Sequence, residues 1–272
     1  MKYEKEILKS YEDPRFMHSR EGRTIRMLAE YYHPQASLKK NRIYNTIVFF
    51  GSARSISSKD YKDKMKNLLI LQKNGKNVDE EIRLLKKLEF TSKYYDATVE
   101  FARRISEWSK SLSTDNKVYV CTGGGPGMME AANKGAFEAE FQNIGYNIEL
   151  PFEQYPNPYI TPELNFEFHY FFMRKFWFVY HAKAIVVMPG GFSTMDELME
   201  MLTLEQTNVI SKKVPIVLFG KQFWNNLINF DYLLEVGMIS EKDLDLFIIL
   251  DDVDEAFEYV VNGISKLIRI DE

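Results

Sequence analysis

Four short apolar runs constrain this chain more than any other feature. They are residues 46–50 (TIVFF), 118–121 (VYVC), 184–188 (AIVVM) and 214–219 (VPIVLF). Each is cut off by glycine, proline or charge, and each is followed by a helical pattern. A strand that is apolar without alternation is buried on both faces, as parallel strands covered by helices are. Further strands are expected at 144–150, near 164–168 and at 247–250. Strands alternating with helices predict an α/β fold: a Rossmann-like doubly wound parallel sheet with helices on both faces.

The helices fill the intervals. Residues 20–32 (REGRTIRMLAEYY) read as a helix stopped by His33-Pro34. They belong to an N-terminal helical extension, 1–45, ahead of a larger domain, 46–272. The stretch 59–112 is rich in Lys, Glu and Leu and is broken at Asn74-Gly75. Its later part, 92–112, carries Tyr95, Val99, Ala102, Ile105 and Trp108 at helical spacing and is expected to be the crossover helix between the first two strands. Its earlier part, 59–88, reads as a helical insertion whose charges form a solvated face. An amphipathic helix, 253–269, closes the chain.

A net charge of −4 gives no global pull toward nucleic acid or an anionic membrane, so a bound anion must be attracted locally. The single cysteine, Cys121, excludes an intrachain disulfide framework. The first residues lack an apolar signal core, and no apolar run reaches membrane-spanning length. These features predict a cytoplasmic protein engaging neither membrane nor nucleic acid. The histidines His18, His33, His169 and His181 lack ligand spacing, so no metal is expected. No lysine is marked as a pyridoxal carrier, and no cofactor is expected.

Four stretches carry candidate chemistry. The first, CTGGGPGMMEAAN from Cys121, joins a strand to a helix. Gly124 and Gly125 let the backbone turn tightly, while Gly127 and Met128 stand at a helix N-terminus, where free N–H groups favour an anion. It matches neither the dinucleotide fingerprint nor a Walker loop. A plain strand–helix turn remains the alternative. The second, PGGFSTMDE, runs from Pro189 to Glu197. Gly190 and Gly191 free the backbone, Ser193 and Thr194 offer hydroxyls or cap the helix, and Asp196 and Glu197 suit its first turn. The third holds adjacent cations, Arg174 and Lys175. Neighbours on a helix diverge by about 100°, so one reaches a pocket while the other meets a carboxylate. The fourth is FFGSAR, where Gly51 and Ser52 either meet a ligand from the side or form an ordinary strand-to-loop turn.

With these stretches taken together, the chain resembles the LOG-type family, the cytokinin-activating nucleotide phosphoribohydrolases long filed as lysine decarboxylase-like. The family hallmark Pro-Gly-Gly-x-Gly-Thr-x-x-Glu corresponds to PGGFSTMDE, its glycine turn to GGGPGMMEAANKGA, and its Arg-Lys pair to Arg174-Lys175. The match extends from about Arg20 to Val253, including NIELPFEQYPNPY, and is similar to the longer bacterial branch. The resemblance implies a nucleotide-binding catalytic domain over 46–272, a homodimer or higher homo-oligomer, and hydrolysis of a nucleoside 5′-monophosphate. AMP or a modified-adenine, cytokinin-type nucleotide would yield free base and ribose 5-phosphate. It implies Arg174 and Glu197 as the catalytic pair. Gly190, Gly191, Ser193 and Thr194 would hold the phosphate, with Glu153 a further substrate contact. One departure stands out: Ser193 replaces the third glycine, which brings strain if that position needs positive φ. The alternative reading is a module that binds a nucleotide or cofactor without cleaving it.

Overall fold

The apolar runs become strands, and all seven lie parallel in one sheet. In the computed structural model, which describes residues 7–151, 155–210 and 213–268, they are β1 Asn45–Phe50, β2 Val118–Thr122, β3 Asn143–Ile148, β4 Asn165–Phe168, β5 Ala182–Val187, β6 Ile216–Phe219 and β7 Ile248–Leu250. Their order is β4-β3-β2-β1-β5-β6-β7. Every residue of β1, β2, β3 and β5 is buried, which accounts for their apolar centres, with polar residues such as Asn45, Thr122, Asn143 and Lys183 at or near the strand ends. Two edges differ from the sequence reading. Strand β5 begins at Ala182, two residues early, because its pairing with β1 reaches back to Thr46. Strand β6 begins only at Ile216. The Val214 N–H is taken by the Glu205 carboxylate at 2.9 Å, and Pro215 has no N–H to give.

The helices are α1 Pro14–Met17, α2 Arg23–Lys40, α3 Ser58–Lys73, α4 Asp79–Lys110, α5 Met128–Glu138, α6 Phe171–Tyr180, α7 Phe192–Gln206, α8 Lys221–Leu227, α9 Phe230–Glu235, α10 Glu241–Leu244 and α11 Val253–Ile268. They cover both faces of the sheet. Phe101 and Ile105 of α4, Ala131 of α5 and Val260 of α11 enter one apolar cluster. Trp177 of α6, Leu198 of α7 and Trp224 of α8 enter the other. No described helix is long and apolar enough to cross a membrane.

Two helical expectations need correction. The insertion and the crossover are not separate helices. The break at Asn74-Gly75 is real, with Gly75 at φ +79°, but α4 then runs 32 residues without interruption. No glycine or proline follows Gly75 until Gly123, so nothing stops it. The second correction concerns α2, which passes through Pro34 to Lys40 instead of ending at His33. Proline removes the bond that position 34 would make to the Glu30 carbonyl. That carbonyl accepts the indole N–H of Trp177 at 3.1 Å instead. A tertiary contact thus removes the reason for the helix to stop.

The chain lays down β1 to β4 outward on one side, then returns to the other side of β1 for β5. Strand order reverses between β1 and β5, and a crevice opens beyond their carboxyl ends.

Candidate active site

The loops after β1, β2 and β5 converge at this crevice and are bonded to one another. The Ser52 N–H donates to the Pro189 carbonyl at 3.0 Å, the Met188 N–H to the Phe50 carbonyl at 2.8 Å, and the Met128 N–H to the Ser52 carbonyl at 2.9 Å. They frame a cleft of about 740 Å³. Of the residues expected from the sequence, Gly51, Ser52, Arg174, Pro189, Gly190, Gly191, Ser193, Thr194 and Glu197 line it. Glu153 lies outside the described residues.

Gly124, Gly125, Gly127, Met128 and Lys175 lie off the cleft lining. The corner after β2 closes on the protein itself. Asn157 donates its side-chain amide to the carbonyls of Gly124 and Gly125, at 3.1 Å each. Gly124 has φ +72°, and a Cβ there would stand 2.2 Å from Asn147 Oδ1, so only glycine fits. The α5 N-terminal N–H of Met128, expected to face an anion, is taken by Ser52. From this corner, Gly123 and Met129 reach the cleft. Lys175 turns away to pair with Asp196 at 3.0 Å and Glu200 at 2.9 Å.

The corner after β5 is open. Helix α7 starts at Phe192 with Gly191 as its N-cap and with no side-chain cap. Ser193 and Thr194 therefore lie within the first turn rather than capping it, and Asp196 and Glu197 fall beyond it. The uncapped N–H groups at this end point an uncompensated partial positive charge at the cleft. Gly190 is bare because Thr194 folds back on it: a Cβ would stand 2.1 Å from the Thr194 hydroxyl. Ser193 carries no positive φ, so it replaces the family glycine without backbone strain.

Arg174 and Glu197 are 7% and 4% exposed, yet both line the cleft. Arg174 Nη2 lies 3.7 Å from Glu197 Oε1, too far for a good hydrogen bond. Arg174 Nε and Glu197 Oε1 have no hydrogen-bond partner. The guanidinium lies 5.1 Å from the Phe171 ring centre and 5.6 Å from that of Phe178. Burial pushes the Glu197 carboxyl up to about 7, against the opposing pull of Arg174 and then Lys175. Burial also lowers Arg174, which remains charged because an arginine starts so high. Glu205 is likewise raised to about 7 by burial. It accepts the Val214 N–H and lies off the cleft, so its perturbation is structural. An under-bonded, raised carboxyl beside a cation in a cleft makes Arg174 and Glu197 the candidate functional pair.

Sequence reasoning passed over Arg54, Thr91 and Phe192, which also line the cleft. Arg54 stood within the quoted FGSAR stretch and brings a second cation to the lining. Phe192 is 91% exposed at the mouth. Nothing in the sequence marked Thr91, which lies between the insertion and the crossover part and reaches the cleft only through the packing of α4. Among the described residues, no three His, Cys, Asp or Glu side chains gather in a metal-holding group.

Sheet order and site together define a Rossmann-like α/β protein with a cleft at its switch point. A family profile described as "Possible lysine decarboxylase" matches residues 129–260. The probable cytokinin riboside 5′-monophosphate phosphoribohydrolase LOG4 of Oryza sativa subsp. japonica is 32% identical over 83 residues, 30% of this chain and 36% of that protein. The probable enzyme LOGL3 of the same organism is 27% identical over 158 residues, 54% of this chain and 66% of that protein. The chain spans about a third of the length of the first curated relatives it matches. Among solved structures, the molybdenum cofactor binding protein from Rippkaea orientalis aligns with 80% of this chain and 96% of its own, at 13% identity and a TM-score of 0.49. The family and sequence matches support a LOG-type family for the chain.

Proposed function

We propose that this protein hydrolyses the N-glycosidic bond of a nucleoside 5′-monophosphate, AMP or a modified-adenine relative, to free base and ribose 5-phosphate. The observation that carries the reading is the buried, under-bonded Arg174–Glu197 pair opening onto the cleft beside an uncapped helix N-terminus. The named activity of the curated relatives supports it.

The bond electrons leave with the base, and positive charge builds on the sugar. Ionised Glu197 stabilises that charge and takes a proton from the attacking water as its oxygen bonds to the anomeric carbon. The departing base gains a proton from solvent, and Glu197 afterwards returns its own to solvent, so one water is consumed in all. Arg174 orients the substrate and supports negative charge on base or phosphate. The 5′-phosphate sits at the α7 N-terminus with Gly190, Gly191, Ser193 and Thr194, so its binding energy positions the ribose. Apolar walls, among them Phe171 and Phe178, receive the base. Decarboxylation through a pyridoxal imine fits poorly, because the described lining contains no lysine. The acting form is a homodimer, for which Phe172, Phe176 and Tyr180 on one face of α6, 49%, 37% and 48% exposed, offer an apolar surface. A cytoplasmic location fits the single buried thiol, Cys121.

The test is a panel of nucleoside monophosphates with detection of free base. The expected result is release from at least one purine monophosphate, abolished in Glu197→Ala while monophosphate binding remains measurable. No release from any common monophosphate, or full rate in Glu197→Ala, refutes the enzymatic reading. A bound nucleotide that copurifies and stays intact for hours favours a carrier instead.

A further inference from the structure

Three side chains on one face of α2 meet a single residue at the start of α6. Arg23, Arg26 and Glu30 are spaced by three and four residues, so they share a helix face. The two carboxylate oxygens of Glu30 accept the backbone N–H groups of His169 at 2.9 Å and Tyr170 at 3.3 Å. Arg26 Nη2 donates to the Tyr170 hydroxyl at 3.3 Å. The Arg23 guanidinium lies 5.6 Å from the Tyr170 ring centre. The Glu30 carbonyl, left free by Pro34, accepts from Trp177 one α6 turn past Arg174.

Tyr170 is the N-cap residue of α6, and its carbonyl accepts the N–H groups of Met173 and Arg174 at 3.1 and 3.2 Å. The residue gripped by α2 therefore starts the turn that presents Arg174. We propose that the Arg23–Arg26–Glu30 face of α2 is a positioning clamp that fixes α6, and through it the Arg174 guanidinium, against Glu197. Its kinetic consequence rests on the N-glycosidase reading above; its geometry does not.

The burial pattern of α2 separates clamping from ordinary packing. Its buried residues are Pro34 and Leu38, both in the C-terminal half. The half carrying the clamp has no fully buried side chain and meets α6 through these polar ties and the partly buried Tyr31 ring against Phe176 and Trp177, so a single polar truncation there leaves the core intact. Arg174 Nε has no hydrogen-bond partner, so the angle of its guanidinium rests on the Phe171 and Phe178 rings, the Glu197 charge and the placement of α6 itself.

The experiment compares wild type, Glu30→Ala and Glu30→Gln by kcat, KM and the titration of the Glu197 carboxyl carbon followed by ¹³C NMR. Arg174 and Lys175 hold the Glu197 charge, while Asp196 and Glu200 oppose it. A displaced Arg174 therefore raises the Glu197 titration. Glu30→Ala is expected to lower kcat roughly ten- to hundredfold with KM changed by less than about threefold, and to move the Glu197 titration upward. Glu30→Gln keeps an acceptor oxygen and recovers most of both. A folded Glu30→Ala with the wild-type kcat and titration overturns the clamp. If Glu30→Ala does not fold, Tyr170→Phe removes only the hydroxyl tie to Arg26. A smaller upward shift supports the clamp, and an unmoved titration overturns it. If wild type releases no base, the N-glycosidase reading fails alone, because the titration needs no turnover and still decides the clamp.

Discussion

Arg174 and Lys175 are neighbours in the chain, and both face acids of α7, yet their surroundings are opposite. Lys175 spans Asp196 and Glu200 at hydrogen-bonding distance, with Asp196 largely in solvent. Arg174 faces Glu197 at 3.7 Å, buried, with atoms on both partners left without hydrogen bonds. The first arrangement is a brace between two helices. The second holds charges short of satisfaction inside a cleft, which is costly in a protein built only for stability. The difference sets an unfinished pair, with bonding capacity left over, beside a finished one.

The comparison is broken most sharply by removing Glu197. Glu197→Gln is expected to lower kcat by about a hundred- to ten-thousandfold in the free-base assay, the range for a positioned carboxylate. Arg174→Ala should follow at roughly a hundredfold or more. Equal losses from Lys175→Ala would end the distinction between the two pairs.

Titration sharpens it next. In the proposed mechanism the ionised form of Glu197 is the working one, so kcat should rise about tenfold per pH unit toward pH 7 and level off above it. Stability runs the other way. A carboxyl whose folded value, about 7, lies above its ordinary 4.5 binds more protons folded than unfolded between those values. Its contribution is therefore fully present below pH 4.5 and lost as pH rises to 7. Each tenfold change in ionisation constant is worth about 1.4 kcal/mol. The stability difference between wild type and Glu197→Gln should thus move by about 3 kcal/mol in favour of Gln from pH 4.5 to about pH 8, read by urea unfolding. A difference that does not change with pH contradicts the buried-charge account.

The two glycine corners extend the contrast. Gly124→Ala forces a Cβ into Asn147 at positive φ and should cost roughly 2 kcal/mol or more. Gly191→Ala meets nothing within 4 Å, so its stability should stay within about 0.5 kcal/mol of wild type. Its cost, if the phosphate sits there, appears in KM. Lys175→Ala is expected to keep kcat within about twofold, the smallest catalytic effect among the charged residues, with a stability loss of about 1 kcal/mol or less, as for a partly exposed ion pair.

Much of the site was legible because its chemistry is local. PGGFSTMDE after a buried strand marks a bare corner, a helix start and an acid in fixed succession. The roles within that stretch were less legible. Local sequence allowed Thr194 to cap the helix, but α7 starts at Phe192 and places Thr194 within its first turn, folded against Gly190. The glycine-rich corner after β2, which local sequence left open between a ligand site and a plain turn, faces largely inward because Asn157 and Ser52, distant in sequence, occupy its carbonyls and the Met128 N–H. Thr91 left no trace, since only the packing of α4 brings it to the cleft.

What the sequence determined by itself was periodicity and punctuation: seven apolar strands, their helical partners, and glycines where the backbone bends. Those follow from each residue's own sterics and from burial on two faces. What only the tertiary structure decided was which polar groups stay unpaired. Pro34 ends no helix because Trp177 arrives from α6, and Glu197 is left short of partners because Arg174 is held just too far away. Satisfaction of a polar group depends on neighbours far along the chain, and no local pattern records them.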